Sequence, residues 1–212
     1  MKLALVILGK EVQDMQDMQK VVFFVGVAGT GKTTVAKEVA KTIPNAFLDR
    51  DTVGGRFVEA MLQANGLDKN DRDSSFYKTH LRDLEYDTTK DICIENIAAG
   101  QNVFMISPFT SELKNKEWIE EVLTLSGKTK QEVDVKVVVV TLLDIELQKK
   151  RIEDRATIRD TWKLDNWHSY ETRVDFMPEI NWDIPSSSIY VFDNSGELNN
   201  EKVIPLITFI QQ

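Results

Sequence analysis

The stretch VVFFVGVAGTGKTTVAKEVAKTI, from Val21 to Ile43, decides the fold. It opens with a continuous run of β-branched and aromatic residues, Val21 to Val25, which is typical of a strand buried on both faces of a parallel sheet. A glycine-rich turn follows. From Lys32 onward, apolar residues recur at helical spacing until Pro44 ends the segment. The stretch therefore predicts a strand, a glycine loop and a helix in direct succession.

The loop between that strand and that helix, GVAGTGKT, matches the pattern GxxxxGK[ST]. Backbone N–H groups in such a turn point at phosphate oxygens, and the helix N-terminus adds partial positive charge. Lys32 supplies a point charge to the β- and γ-phosphates, and the Thr33 hydroxyl is suited to ligating Mg²⁺. The predicted nucleotide-binding residues of the loop are Gly26, Val27, Ala28, Gly29, Thr30, Gly31, Lys32, Thr33 and Thr34. The alternative is a chance match, which average glycine usage makes about a once-per-hundred-chains event.

Strand and helix patterns alternate along the rest of the chain. Strands are predicted over 46–49, 102–107, 133–143 and 188–192, and helices over 53–63, 77–99, 112–125, 145–156 and 200–210. The polar segment 66–75 is predicted to be a loop. This alternation predicts an α/β fold with a mainly parallel five-stranded sheet and helices on both faces. Ligands of such sheets bind at the carboxyl ends of the strands.

The composition fits one folded domain. The chain has 212 residues, 42% of them hydrophobic, and a formal net charge of −8. This acidic balance argues against a nucleic acid partner, because binding many phosphates needs clustered Lys and Arg. The single cysteine, Cys93, excludes an intramolecular disulfide. We expect a cytoplasmic protein without a membrane partner, and its oligomeric state is left open.

With its phosphate loop and the following AFLDRD segment, 46–51, the chain resembles the P-loop NTPases. Its layout is similar to their small-molecule and nucleotide kinases, which include adenylate, gluconate, shikimate, polynucleotide and zeta-toxin-like kinases. The resemblance covers 21–212 and leaves 1–20 as an N-terminal extension. It implies a three-layer fold with a small lid at about 151–176, ATP and Mg²⁺ as cofactors, and transfer of the γ-phosphate to a hydroxyl of a small molecule. The alternatives are a nucleotide-dependent switch or regulatory ATPase and a nucleic-acid 5′-end kinase.

Two carboxylates follow the second predicted strand. A carboxylate there can accept the proton of an attacking hydroxyl and can help to hold Mg²⁺. Because Asp51 resembles the acidic residue of the NRD-like pattern in polynucleotide kinases, the resemblance favours Asp51 over Asp49 as the catalytic base, and we pair Asp51 with Thr33 as the metal site. The alternative is that Asp51 only caps the next helix. The predicted acceptor-binding residues are Asp49, Asp51, Arg56, Arg82 and Tyr86.

Arg151 and Arg155 are spaced i, i+4 and share one face of a predicted helix. The kinase resemblance implies that Arg151 packs on the base and that Arg155 contacts the transferring phosphate, with Arg159 as a further catalytic candidate. Arginine suits both roles because it stacks flat and binds phosphate in a fork. The alternative is a solvated helix on which Arg151 pairs with nearby acids.

Two later segments also carry candidate residues. Asn194 and Ser195 follow the last predicted strand, and the resemblance implies that they contact the base; as an alternative, DNSG is an ordinary turn. Trp162 and Trp167 are expected to anchor the lid to the core, and the alternative is that they clamp the substrate.

The chain departs from many P-loop NTPases after the third strand, where Ser107 stands in place of an acidic residue. A serine cannot orient a metal-bound water as a carboxylate can. This departure favours transfer to a bound hydroxyl over hydrolysis.

Overall fold

The computed structural model describes residues 18–142, 144–155, 160–172, 174 and 176–212. Five parallel strands form one sheet in the order β2-β3-β1-β4-β5. The strands are β1 (Gln19–Val25), β2 (Ala46–Asp49), β3 (Val103–Ile106), β4 (Val133–Thr141) and β5 (Ile189–Asp193). The α-helices are α1 (Lys32–Ala40), α2 (Arg50–Val53), α3 (Gly55–Ala64), α4 (Arg82–Ala98), α5 (Trp118–Leu125), α6 (Ile145–Arg155), α7 (Thr161–Asp165), α8 (Trp167–Glu171) and α9 (Asn200–Gln211). A π-helical segment, Tyr77–Leu81, leads into α4.

The sheet carries a hydrophobic core on each face. Successive side chains of a strand point to opposite faces, so Val21 and Phe23 enter one core and Val22 and Phe24 enter the other. The first core includes buried residues of α4 and α5, among them Cys93, and the second includes residues of α1 and α9. The predicted three-layer α/β fold is confirmed.

The predicted helix over 112–125 was wrong in its first half, because α5 begins only at Trp118. The chain turns through 110–117, after Pro108 and after Phe109 with its positive φ of 51°. The Asn115 side chain accepts the Glu117 amide at 3.1 Å and stabilises this turn. The spacing of apolar residues alone does not indicate this turn.

Other helix and strand boundaries differ from the predicted ones by a few residues. The predicted helix over 53–63 corresponds to α3, which begins at Gly55 and is preceded by the short α2. The predicted helix over 77–99 starts with the π-helical segment. The strand β1 begins at Gln19, so the last two residues assigned to the N-terminal extension belong to the sheet. Residues 1–17 lie outside the described residues.

The strand register brings the site together. Val25 pairs with Val139, Asp49 with Ile106, and Thr141 with Asp193. The carboxyl ends of the five strands therefore meet at one edge, where the phosphate loop, Asp51 and Asn194 follow directly. Among the described helices, none is long and apolar enough to cross a membrane.

Candidate active site

The phosphate loop needs glycine at two points of close approach. Gly26 has a φ of 137°, and a Cβ there would lie 2.3 Å from the Val140 carbonyl oxygen. Gly31 has a φ of 86°, and its Cβ would lie 2.4 Å from the Asn194 side-chain nitrogen. Only glycine adopts these conformations in such limited space. Thr30 closes the turn from within, because its hydroxyl donates to the Val27 carbonyl at 3.1 Å.

Lys32 lies in the cleft above this loop. Its Nζ donates to the Val27 carbonyl at 2.9 Å, which holds the ammonium beside the loop's backbone N–H groups. Burial lowers the pKa of Lys32 to about 8, against the opposing effect of Asp51, and the cations Arg50 and Arg155 lower it further. A phosphate bound at this point would place negative charge beside Lys32 and so stabilise its ammonium form.

The Thr33 hydroxyl donates to Asp49 Oδ2 at 2.8 Å. The other oxygen of Asp49 accepts the backbone N–H of Asp51 at 3.0 Å and so caps α2. The carboxylate beside Thr33 is therefore Asp49, whereas the sequence analysis paired Thr33 with Asp51 as the metal site. A hydroxyl and a carboxylate oxygen are hard ligands that suit Mg²⁺.

Asp51 lies two residues further along, in the same cleft, with its side chain 40% exposed. Its Oδ1 lies 2.9 Å from Arg50 Nη2 and 3.9 Å from Arg72 Nη1. The capping alternative is wrong for Asp51, because Asp49 is the N-cap of α2. The charge of Asp51 also acts on Lys32, so Asp51 lies within electrostatic reach of the phosphate loop.

Side chains from distant elements hold the phosphate loop from outside. Asn194, which is buried, donates from Nδ2 to the Thr30 carbonyl at 2.8 Å, and its own carbonyl accepts Arg151 Nη2 at 2.9 Å. Gln148 Nε2 donates to the Ala28 carbonyl at 2.6 Å. Asn194 and Arg151 therefore line the nucleotide end of the cleft. Ser195 does not line it, and its hydroxyl donates to Asp193 at 2.6 Å.

Arg155 also lines the cleft. Its Nε and Nη2 both donate to Asp160 Oδ2, the Nε at 3.0 Å. Lys163 Nζ lies 3.2 Å from the other oxygen of this buried carboxylate. Arg159 lies outside the described residues.

The two tryptophans of the expected lid differ in burial. Trp167 is buried and packs on Tyr170, with the Lys149 ammonium 5.5 Å from the centre of its ring. Trp162 is 44% exposed. Among contacts within the described part of the chain, Trp167 has those of an anchor.

The acceptor end of the cleft is organised around Glu85, whose side chain is fully buried. Glu85 accepts Arg72 Nη1 at 2.5 and 2.6 Å and the Tyr77 hydroxyl at 2.7 Å. Arg50 Nε lies 3.7 Å from the same carboxylate. A Cβ on Gly54 would come within 2.6 Å of Glu85 Cγ, so the carboxylate is packed tightly under α2.

Tyr86, an expected acceptor contact, is buried beneath the cleft instead of lining it. Arg50 and Arg82 both stack on its ring, at 4.7 and 4.2 Å. Its hydroxyl accepts from Ser107 at 2.9 Å, which explains the polar residue after β3. Tyr86 therefore supports the two arginines.

Two further residues that were predicted to bind the acceptor, Arg82 and Arg56, lie in different places. Arg82 lines the cleft and pairs with Glu112 at 3.2 Å. Arg56 is exposed on α3 and does not line the cleft, so the structure does not bring it to the other predicted acceptor residues. Helical spacing from Asp51 gave no signal that α2 ends at Val53 and that α3 begins at Gly55.

The cleft that joins these groups has a volume of about 970 Å³. This space suits a nucleotide together with a small second molecule. Cations line both ends of the cleft, although the whole chain has a net charge of −8.

Sequence reasoning missed several residues of the cleft and its supports, which are Arg50, Arg72, Lys78, Glu85, Gln148, Asp160 and Lys163. Arg50 was recognisable, because it lies between the two aspartates of LDRD. Gln148 lies three residues before Arg151, on the same helical face. The loop position of Arg72 gave no periodic signal.

The family model described as an AAA domain (AAA_33) matches residues 21–175. No curated protein matches the chain. A "putative kinase" from Chloroflexus aurantiacus J-10-fl has a similar structure, with a TM-score of 0.65, 16% identity, and coverage of 92% of this chain and 97% of that one. A sugar kinase from Janibacter sp. HTCC2649 has a TM-score of 0.53, 19% identity, and coverage of 91% and 94%. A gluconokinase from Sinorhizobium meliloti 1021 has a TM-score of 0.52, 14% identity, and coverage of 91% of both chains. These likenesses agree on the fold, and the match over 21–175 shows that the chain belongs to the AAA domain family of P-loop proteins.

Proposed function

We propose that this protein is a phosphotransferase that moves the γ-phosphate of MgATP to a hydroxyl of a small molecule. The observation that carries the proposal is the arrangement of the two aspartates. Asp49 contacts the Thr33 hydroxyl of the phosphate loop, and Asp51, two residues on, lines the same cleft beside Arg50 and Arg72. The metal side and the acceptor side are thus adjacent, as in-line transfer between two bound molecules requires.

On the nucleotide side, the phosphate loop and Lys32 bind the phosphates, and Arg151 and Asn194 lie toward the base. Thr33 and Asp49 would hold Mg²⁺, either directly or through water, and their donor atoms fit that ion. When bound, Mg²⁺ neutralises charge that develops on the phosphates. Arg155 would stabilise the transferring group after exchanging its contact with Asp160 for a phosphate oxygen.

On the acceptor side, Asp51 would accept the proton of the attacking hydroxyl. The neighbouring Arg50 contacts Oδ1 of this carboxylate at 2.9 Å and helps to orient it. We also propose that residues 151–176 act as a lid over the nucleotide and that Arg159 contributes to it. Closure of such a lid excludes water, which favours transfer over hydrolysis.

Replacement of Asp51 tests the assignment of the base. We expect Asp51→Asn to bind MgATP with near wild-type affinity and to lose transfer by about 10²-fold or more, because the amide accepts no proton. Lys32→Ala is the contrasting variant and should lose nucleotide binding itself. Calorimetry for binding and an ATP-consumption assay with pooled hydroxylated metabolites measure the two effects. Normal turnover by Asp51→Asn would refute the assignment.

A further inference from the structure

Among the described residues, four cationic side chains line the acceptor end of the cleft, Arg50, Arg72, Lys78 and Arg82. The described carboxylates that line the same end are those of Asp51 and Asp73. If Asp51 serves as the base, its charge is used in the reaction. The lining then has an excess of positive charge that a neutral acceptor would not use.

The carboxylates that compensate the arginines lie behind them and not in the cleft. Glu85 is fully buried and Glu112 is buried, and neither lines the cleft. From that position they fix Arg72, at 2.5 Å, and Arg82, at 3.2 Å. Stacking on tyrosine rings adds a second constraint, since Arg82 lies on Tyr86 and Arg72 on Tyr77. Groups held in this way lose little entropy when a ligand binds.

Donors remain available in this cluster. Arg72 uses Nη1 for Glu85, and its Nη2 makes no hydrogen bond within the described part of the chain. Arg50 uses Nη2 for Asp51, and its Nη1 likewise has no hydrogen-bond partner among the described residues. Lys78 is exposed at the rim and forms no ion pair with any described residue. An oxyanion, either a carboxylate or a phosphate, is the ligand that guanidinium and ammonium donors recognise.

We propose that the acceptor carries an oxyanion, a carboxylate or a phosphate, beside its reacting hydroxyl, and that Arg72 and Lys78 bind this group. The inference rests on the proposed function, because Asp51 marks where the hydroxyl lies. Asp51 is 2.9 Å from Arg50 and 3.9 Å from Arg72, so one small molecule can reach both the base and the arginines. The substrate class is therefore a hydroxylated small anion, and Arg72 is a specificity-determining residue.

Three ligands with one carbon skeleton test this inference, namely glycerol, glycerate and glycerol 3-phosphate. The full chain is first saturated with Mg²⁺ and a non-hydrolysable ATP analogue, so that the phosphate loop is occupied, and each ligand is titrated by calorimetry. We expect one or both anions to bind and glycerol not to bind. Glycerate against glycerol 3-phosphate then separates a carboxylate site from a phosphate site.

Variants assign the binding to the cluster. Arg72→Gln should weaken anion binding at least tenfold, and Lys78→Gln several-fold. Because Arg72 also pairs with Glu85, its loss could disturb folding, whereas Lys78 is exposed and gives an independent test. Arg56→Gln is the matched control, since Arg56 lies on the neighbouring helix outside the cleft, and it should bind as wild type.

Binding of neither anion, or binding that both Arg72→Gln and Lys78→Gln leave unchanged, would overturn the inference. Equal binding of glycerol and the anions would do the same. Anion binding without phosphate transfer to any acceptor pool would leave the oxyanion site standing and remove the proposed function. Transfer to a neutral acceptor by a protein that binds neither anion would remove the oxyanion site and leave the proposed function standing.

Discussion

At the scale of single residues, the two aspartates of LDRD illustrate how far a sequence motif can specify a site. The motif predicted that carboxylates would face the phosphate loop, and both Asp49 and Asp51 do line the cleft. It could not tell which of them meets Thr33, because that depends on where β2 ends and α2 begins. The strand ends at Asp49, which caps the helix and contacts the Thr33 hydroxyl.

The lowered pKa of Lys32 predicts how nucleotide affinity depends on pH. The pKa is about 8 in the free protein, chiefly because of burial, and bound phosphate would raise it. The ammonium form binds, so affinity should be complete below pH 8 and should fall as pH rises through that value, by up to about tenfold per unit. Titration of MgATP between pH 7 and 9.5 measures this fall.

Lys32→Arg is the control for that titration. Arginine keeps its charge throughout the range, so whatever affinity the variant retains should stay constant with pH. An equal decline in wild type and Lys32→Arg would show that another group is responsible.

At the scale of elements, the phosphate loop depends on segments far along the chain. The local pattern predicted its strand, loop and helix, because those signals lie within one continuous stretch. It could not predict that Asn194, after β5, and Gln148, in α6, hold the Thr30 and Ala28 carbonyls. Those contacts follow from the order of strands in the sheet, which periodicity does not encode.

Replacement of Asn194 should therefore affect both stability and binding. Asn194→Ala leaves the buried Thr30 carbonyl without its donor, which we expect to cost about 1–3 kcal/mol of unfolding free energy. It should also weaken ATP binding, because the loop loses its support. Chemical denaturation and calorimetry measure the two effects.

Ser195→Ala serves as the neighbouring comparison. Ser195 lies outside the cleft lining, and its hydroxyl contacts Asp193, so we expect ATP affinity close to wild type. If Ser195→Ala impaired ATP binding more than Asn194→Ala, the assignment of the supporting residue would be wrong.

At the scale of the whole molecule, an aromatic cluster joins the segment after the expected lid to the sheet. Trp182 is 4% exposed, packs edge-on against Phe23 of β1 at 4.8 Å and stacks on Trp118 at 5.4 Å. Its indole N–H donates to the Glu112 carbonyl at 2.8 Å. The sequence did not single out Trp182, because it lies in an irregular segment without periodicity.

Truncation of Trp182 should destabilise the entire fold. We expect Trp182→Ala to lower the free energy of unfolding by about 3–5 kcal/mol, through the lost burial and the cavity it leaves. Trp162→Ala, at an exposed position, should change it by about 0.5 kcal/mol or less. Urea unfolding of both variants measures these changes. A comparable loss of unfolding free energy in the two variants would contradict the packing described for Trp182.

The central claim is that this P-loop protein transfers phosphate to a small hydroxylated acceptor. The most direct measurement follows the label from [γ-³²P]ATP after incubation with pools of hydroxylated metabolites, with Lys32→Ala as the blank. We predict that label will enter an organic phosphate in one pool and that Lys32→Ala will abolish this transfer. Label released only as inorganic phosphate, at a slow rate that no acceptor changes, would contradict the claim and favour a nucleotide-dependent switch.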